Sequence, residues 1–275
     1  MEVTLLGTGD TTGTPTVGCD CDTCAAAVER GVERTRFSVH VENGDTGETL
    51  LVDASPDFHH QFRREGLAPP DAVAITHVHF DHLHGLGNLY RLGRSFPVYA
   101  SGAPDPVAGE SVAETVRDRY HYLDALDVRG VEPGAPVTAA GLEVTFLPVD
   151  HPPRACYGLC IREPETGATL AITGDTSWDV PAATREGLAG ADLLLVDGIV
   201  NEAFCEHHPA GGSHPAEDAE IYRTFGTKHL TVEGARRLAA ALDPAQYRIV
   251  HVSHYTHPEL AFAEDLGVDG DRFSL

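Results

Sequence analysis

Thr76-His77-Val78-His79-Phe80-Asp81-His82 places three imidazoles and a carboxylate in close succession, directly after the apolar run from Ala72 to Ile75. Histidine is the commonest neutral metal ligand near pH 7. Four ligand-type side chains on one short turn can reach two cations that share a water. The apolar run reads as a buried strand. Leu83, Leu86, Leu89 and Tyr90 fall on one side of a predicted helix from Leu83 to Leu92, and Gly85 is expected to allow a tight turn. The cluster is internal and alternates with apolar residues, unlike a tag or a low-complexity tract.

One loop cannot close a dinuclear site, and the chain offers more ligands after apolar runs. His151 follows Val144 to Val149, Asp175 follows Thr169 to Gly174, and His251 follows Tyr247 to Val250. No ligand is missing, which argues against a metal-free binding module.

Together these residues resemble the ligand set of the metallo-β-lactamase-fold hydrolases, over nearly the whole chain. The resemblance implies that His77, His79 and His151 hold one metal, that Asp81, His82 and His251 hold the other, and that Asp175 bridges them. The ions would be zinc or manganese. Asp53, in Leu50-Leu51-Val52-Asp53-Ala54-Ser55-Pro56, matches an aspartate that fixes a ligand histidine's tautomer in the family. As a turn-initiating residue before Ser-Pro it has a simpler explanation.

Cys19-Asp20-Cys21-Asp22-Thr23-Cys24 carries three thiols, a soft-metal pattern one ligand short of tetrahedral zinc. No apolar signal segment opens the chain, so a secreted disulfide framework is not expected. Cys156, Cys160 and Cys205 read as small buried residues. The cysteine segment resembles that of the phosphoribosyl cyclic phosphate phosphodiesterases. There, a histidine three residues beyond the last catalytic ligand completes a structural zinc site, and His254 in His251-Val252-Ser253-His254 has that arrangement. A substrate-facing His254 is the alternative.

His229 precedes the apolar helical stretch Ala235 to Leu242. In related phosphodiesterases and tRNA-processing nucleases, a histidine so placed contacts the scissile phosphate and protonates the leaving oxygen, so His229 and Asp81 are the catalytic candidates. A plain helix-entry histidine is the other reading. The resemblance implies a metal-dependent hydrolase that opens a small phosphodiester, with a cyclic phosphate as first choice. Two divalent cations, about 3.5–4 Å apart, would activate a bridging water for in-line attack and leave a phosphomonoester.

Three rivals remain. A tRNA 3′-processing nuclease commonly carries a long arm between the third histidine and the bridging aspartate, and His151 to Asp175 is too short for one. A redox enzyme like the pyrroloquinoline quinone biosynthesis protein B shares the cysteine segment, but its usual metal motif departs from His-x-His-x-Asp-His. A thioester or lactone hydrolase would use the same metals on acyl carbon.

The formal net charge is −23, and Lys228 is the single lysine. Such a surface suits molar salt, where the Debye length is about 3 Å, and implies the cytoplasm of an extreme halophile. It disfavours a nucleic-acid partner. The acids are spread among plentiful apolar residues, unlike a disordered acidic tail. At 275 residues one domain over 1–275 is feasible, with no linker, repeat or membrane-spanning run. Related phosphodiesterases imply a homodimer.

Strands are expected at Val3 to Leu6, Phe37 to Val41, Thr49 to Val52, Ala72 to Thr76, Val98 to Ala100, Leu142 to Leu147, Thr169 to Thr173, Leu193 to Val196 and Arg248 to Val252. Helical stretches between them indicate α/β layering, and the resemblance makes it an αββα four-layer sandwich with the ligands along one edge. Asn201 to Thr227, with His207, His208 and His214, reads as a long loop with a short helix, either a substrate lid or a solvated loop. Asp105 to Arg119 reads as surface helix and loop.

Overall fold

The computed structural model describes residues 1–207, 214–215, 222–224 and 228–275, with side chains described over 1–205 and 228–275. Apolar runs of four to eight residues punctuated by turns form most of the strands. In chain order these are β1 (Glu2–Gly7), β2 (Ser38–Glu42), β3 (Thr49–Val52), β4 (Ala72–Ile75), β5 (Phe96–Ser101), β6 (Leu126–Val131), β7 (Pro136–Ala139) and β8 (Leu142–Val149). They continue as β9 (Cys156–Arg162), β10 (Thr169–Ile172), β11 (Leu193–Asp197), β12 (His214–Pro215), β13 (Tyr222–Thr224), β14 (His229–Leu230), β15 (Tyr247–Val250) and β16 (Arg272–Ser274). One sheet runs in the order β16-β1-β2-β3-β4-β5-β6 and a second in the order β15-β11-β10-β9-β8-β7.

Strand alternation explains the layers. In β11, Leu193 and Leu195 join the core between the sheets with Val144, Phe146 and Ile172. Leu194 and Val196 face the other way, against Val232, Ala235 and Leu238 of the helix Val232–Leu242. A strand buried on both faces must be apolar throughout, and Leu-Leu-Leu-Val is. The helix Phe58–Glu65 adds Phe58 and Phe62 to the first cluster. The chain is thus an αββα sandwich of two sheets between helices.

The predicted helix from Leu83 to Leu92 is displaced. An α-helical turn spans Phe80–Leu83 and a 3-10 helix His84–Leu89; Leu83, Leu86 and Leu89 are fully buried, but Tyr90 is 48% exposed. The periodicity found the buried face but not the tighter winding. Gly85 serves close approach rather than a positive φ: a β-carbon there would lie 2.0 Å from the Ser55 carbonyl oxygen. Asp105 to Arg119 contains the helix Val112–Arg119, capped by Ser111 and Glu114. The lid expectation, and with it His207, His208 and His214, falls outside the residues whose side chains are described. Cys156 and Cys205 are buried and Cys160 is half-buried.

Strand ends at one edge carry the polar residues. Asp53 directly follows β3, His77 follows β4, His151 follows β8, Asp175 follows β10, Asp197 ends β11 and His251 directly follows β15. Asp53 and His251 turn the chain at φ 57° and 63°. A non-glycine residue in that region costs about 1–3 kcal/mol, which the surrounding structure offsets to keep both side chains facing the site.

Candidate metal centre

His79 Nδ1 lies 3.0 Å from His77 Nε2 and 3.1 Å from His151 Nε2. Asp175 Oδ2 faces this group, 3.6 Å from His77 Nε2 and 4.0 Å from His151 Nε2. The same oxygen is 3.3 Å from His82 Nε2 and 3.4 Å from His251 Nε2. Asp81 Oδ2 is 3.5 Å from His82 Nε2 and 3.3 Å from His251 Nε2. Two donor sets result, His77/His79/His151 and Asp81/His82/His251, with Asp175 between them.

The donor sets fit divalent cations on three counts. Donor atoms at 2.0–2.1 Å from a tetrahedral ion stand about 3.4 Å apart, in the middle of the observed range. His82 Nε2 is buried without a hydrogen-bond partner among the described residues, as a ligand atom awaiting a cation would be. The charges agree as well. Burial opposes ionisation of Asp81 and Asp175, yet the surrounding imidazoles outweigh it and hold both carboxyls well below their usual range. Burial likewise opposes a charge on His82 and His251, but Asp175 and its neighbouring carboxylates push His82 well above its ordinary value and His251 to about 9. The site demands positive charge, from protons on these two rings or from metal. Burial keeps His77 well below its ordinary value and takes His151 down to about 3, the neutral form a ligand needs.

The surrounding residues fix the rings. Asp53, fully buried, accepts from His82 Nδ1 at 2.6 Å, from the Thr76 backbone N–H at 2.8 Å and from the Thr76 hydroxyl at 2.7 Å. It directs His82 Nε2 inward. His151 Nδ1 donates to the Lys228 carbonyl at 2.9 Å, and Thr11 Oγ1 donates to Asp81 Oδ2 at 2.8 Å. Each bond orients a donor atom that a metal would use.

His229 enters the same space. Its Nδ1 donates to Asp197 Oδ2 at 3.0 Å, and that oxygen also accepts the Thr176 N–H at 3.0 Å. The ring packs edge-on to His151 at 4.8 Å and stacks on His251 at 5.0 Å between centroids, so it touches both donor sets.

A separate cluster joins Cys19, Cys21, Cys24 and His254. The three Sγ atoms lie 3.4, 3.5 and 3.6 Å from His254 Nδ1, close to the roughly 3.6 Å that sulfur and nitrogen keep around one tetrahedral zinc. Cys21 caps the helix Asp22–Arg30, and His254 follows β15 by four residues. The structure therefore turns His254 towards the thiols.

The family model described as a β-lactamase superfamily domain matches residues 48–252. The chain belongs to the metallo-β-lactamase superfamily. Over 266 residues it is 30% identical to an octanoyltransferase of Porphyromonas gingivalis, covering 93% of this chain but only 46% of that relative, so the chain spans about half the length of that protein. It is 29% identical to coenzyme PQQ synthesis protein B of Cupriavidus necator over 94% of this chain and 91% of the other. A solved diphosphatase from the PhnP family superimposes with a TM-score of 0.76 at 27% identity, over 99% and 96% of the two chains.

Within this metallo-β-lactamase frame the sequence reading missed Asp197 and Thr11. Asp197 had a signal: Leu194-Leu195-Val196-Asp197 repeats Leu50-Leu51-Val52-Asp53. Both aspartates end a buried strand and accept from a histidine Nδ1, Asp53 from His82 and Asp197 from His229. Thr11, an exposed threonine in a glycine- and threonine-rich loop, had none.

Proposed function

We propose that the protein is a metal-dependent phosphodiesterase that hydrolyses a small phosphodiester, with a cyclic phosphate as first choice, and that His229 is its proton donor. The observation that carries this reading is the Asp197–His229 pair packed against both donor sets. A hydrolase of activated acyl groups has little need for such a group, whereas an alkoxide leaving phosphorus does.

His77, His79 and His151 would hold one ion, Asp81, His82 and His251 the second, with Asp175 shared; Cys19, Cys21, Cys24 and His254 would hold a structural zinc. When bound, two divalent cations supply Lewis acidity that makes a water nucleophilic and neutralises phosphoryl charge. The chain's own residues do the rest. Asp53 and Thr11 keep His82 and Asp81 in place. Asp197 accepts the Nδ1–H of His229 in a hydrogen bond, so in the imidazolium form it is the Nε2–H that passes to the departing oxygen, leaving neutral His229 with its remaining proton on Nδ1 facing Asp197. Fixed orientation means no reorganisation is needed as charge develops.

The nearly full-length match to coenzyme PQQ synthesis protein B favours a second reading, chemistry on a small organic molecule other than a phosphate ester. Hydrolysis of bis(p-nitrophenyl) phosphate with added zinc or manganese, run beside p-nitrophenyl acetate and p-nitrophenyl phosphate, tests the first. Metal-dependent turnover of the diester alone is expected. Cleavage of the acetate alone would overturn it in favour of acyl hydrolysis.

A further inference from the structure

A cleft of about 280 Å³ opens beside His151. Pro104, Pro106 and Val107 form one wall, Pro152 and Pro153 the other. Asp105, 6% exposed, ties the walls together: Oδ1 accepts the N–H groups of Val107 at 2.8 Å and Ala108 at 2.7 Å, and Oδ2 accepts that of Ala155 at 2.8 Å. The cleft is therefore preformed. Proline offers no backbone N–H, so these walls present carbon faces rather than donors, and Val107 is 70% exposed with nothing covering it among the described residues.

Arg154 lines the same cleft; its guanidinium makes no hydrogen bond or ion pair within 4.0 Å among the described residues, and its charge acts at longer range on the Asp105 carboxylate. In a chain of net charge −23, a cation without a salt-bridge partner beside a candidate metal-ligand histidine stands out. The other charged lining residue, Asp150, is engaged by the Ser177 hydroxyl. We infer that this cleft is a subsite for the organic group of the substrate, that the group is flat and apolar, and that it carries a second anionic group which Arg154 receives. The inference rests on the phosphodiesterase reading for the position of the first phosphate. It narrows the substrate to a diester with a second negative charge on an arene-like or similarly flat alcohol component.

The test is titration calorimetry of the metal-loaded protein with methyl phosphate, phenyl phosphate and 4-sulfophenyl phosphate. Phenyl phosphate is expected to bind more tightly than methyl phosphate, and the sulfonate to add about fivefold, the size of one partly exposed charge pair. R154Q should erase the sulfonate's advantage and leave phenyl phosphate unchanged. Val107→Glu should weaken both aryl phosphates and spare methyl phosphate. Equal binding of phenyl and 4-sulfophenyl phosphate by the unmodified protein, or an advantage that survives in R154Q, would overturn the inference. Because the readout is binding, the two readings fail separately: an intact sulfonate advantage without diester turnover removes the catalytic reading alone, and diester turnover without the advantage removes the subsite.

Discussion

Asp197→Asn separates proton donation from metal binding. The carboxylate is 1% exposed; Oδ2 accepts from His229 Nδ1 and the Thr176 N–H, and Oδ1 stands 3.7 Å from His251 Nδ1. An amide has one acceptor oxygen and no charge, so one imidazole must face an NH2 group and His229 loses its charge-assisted partner. Hydrogen bonds to charged groups contribute about 1.5–3 kcal/mol, or about 10- to 150-fold in rate if expressed only in the transition state. That loss should appear with a leaving group that needs a proton. Ethylene phosphate, which expels an alkoxide, should be hydrolysed about 10- to 150-fold more slowly, as followed by phosphorus NMR. Bis(p-nitrophenyl) phosphate, which expels a stable phenolate, should slow by less than about threefold. Metal content measured on the same samples should be unchanged. Equal slowing of both substrates would refute the proton-relay role, and equal slowing with loss of metal would make Asp197 a ligand instead.

Three further outcomes are expected. Cys21→Ser should release about one zinc per chain and lower the melting temperature while leaving kcat of the remaining folded protein nearly intact; unchanged zinc content would refute the four-ligand site. Thr11→Val, which removes the 2.8 Å bond to Asp81, should weaken metal binding by about tenfold in competition with a chromophoric chelator, and an unchanged affinity would leave Thr11 without a positioning role. His40 is 4% exposed on β2, and burial, aided by Arg272 and opposed by Asp71, takes it down to about 4. Its folded value is depressed, so between about pH 6.5 and 4 the unfolded chain binds the extra proton and stability falls as the solution is acidified. At about 1.4 kcal/mol per pH unit the loss is about 3 kcal/mol. Urea unfolding of His40→Leu at pH 7 and pH 4 should show a drop smaller than that of the unmodified protein by about this amount, and parallel drops would refute it.

What could be read in the sequence divides along physical lines. The donor residues were legible because they sit where a short apolar run ends, and a buried strand's end fixes where its next side chains can go. His77, His151, Asp175 and His251 are all of this kind, and the structure brings them together. The helix after the cluster was legible as a buried face but not as a 3-10 winding, since Leu83, Leu86 and Leu89 satisfy either. Thr11 was not legible at all. Its partner Asp81 is 70 residues away, and no local pattern marks a hydroxyl that folding delivers to a carboxylate.

The repeated Leu-Leu-Val-Asp segment carries this one step further. Leu51 pairs with Val73 in one sheet and Leu195 with Arg248 in the other, both through parallel ladders. Each sheet therefore ends a central strand in an aspartate at the shared edge, and each aspartate accepts from the Nδ1 of a histidine carried on a different segment. On the proposed reading the same local rule would yield two chemical roles, because the histidines differ in their surroundings. His82 Nε2 points between Asp81 and Asp175, where a cation belongs, whereas the His229 ring lies over His151 and His251, where a substrate oxygen can reach it. Sequence supplies the aspartates, and only the packing of the two sheets decides which one faces a candidate metal ligand and which one, on the proposed reading, would serve a proton.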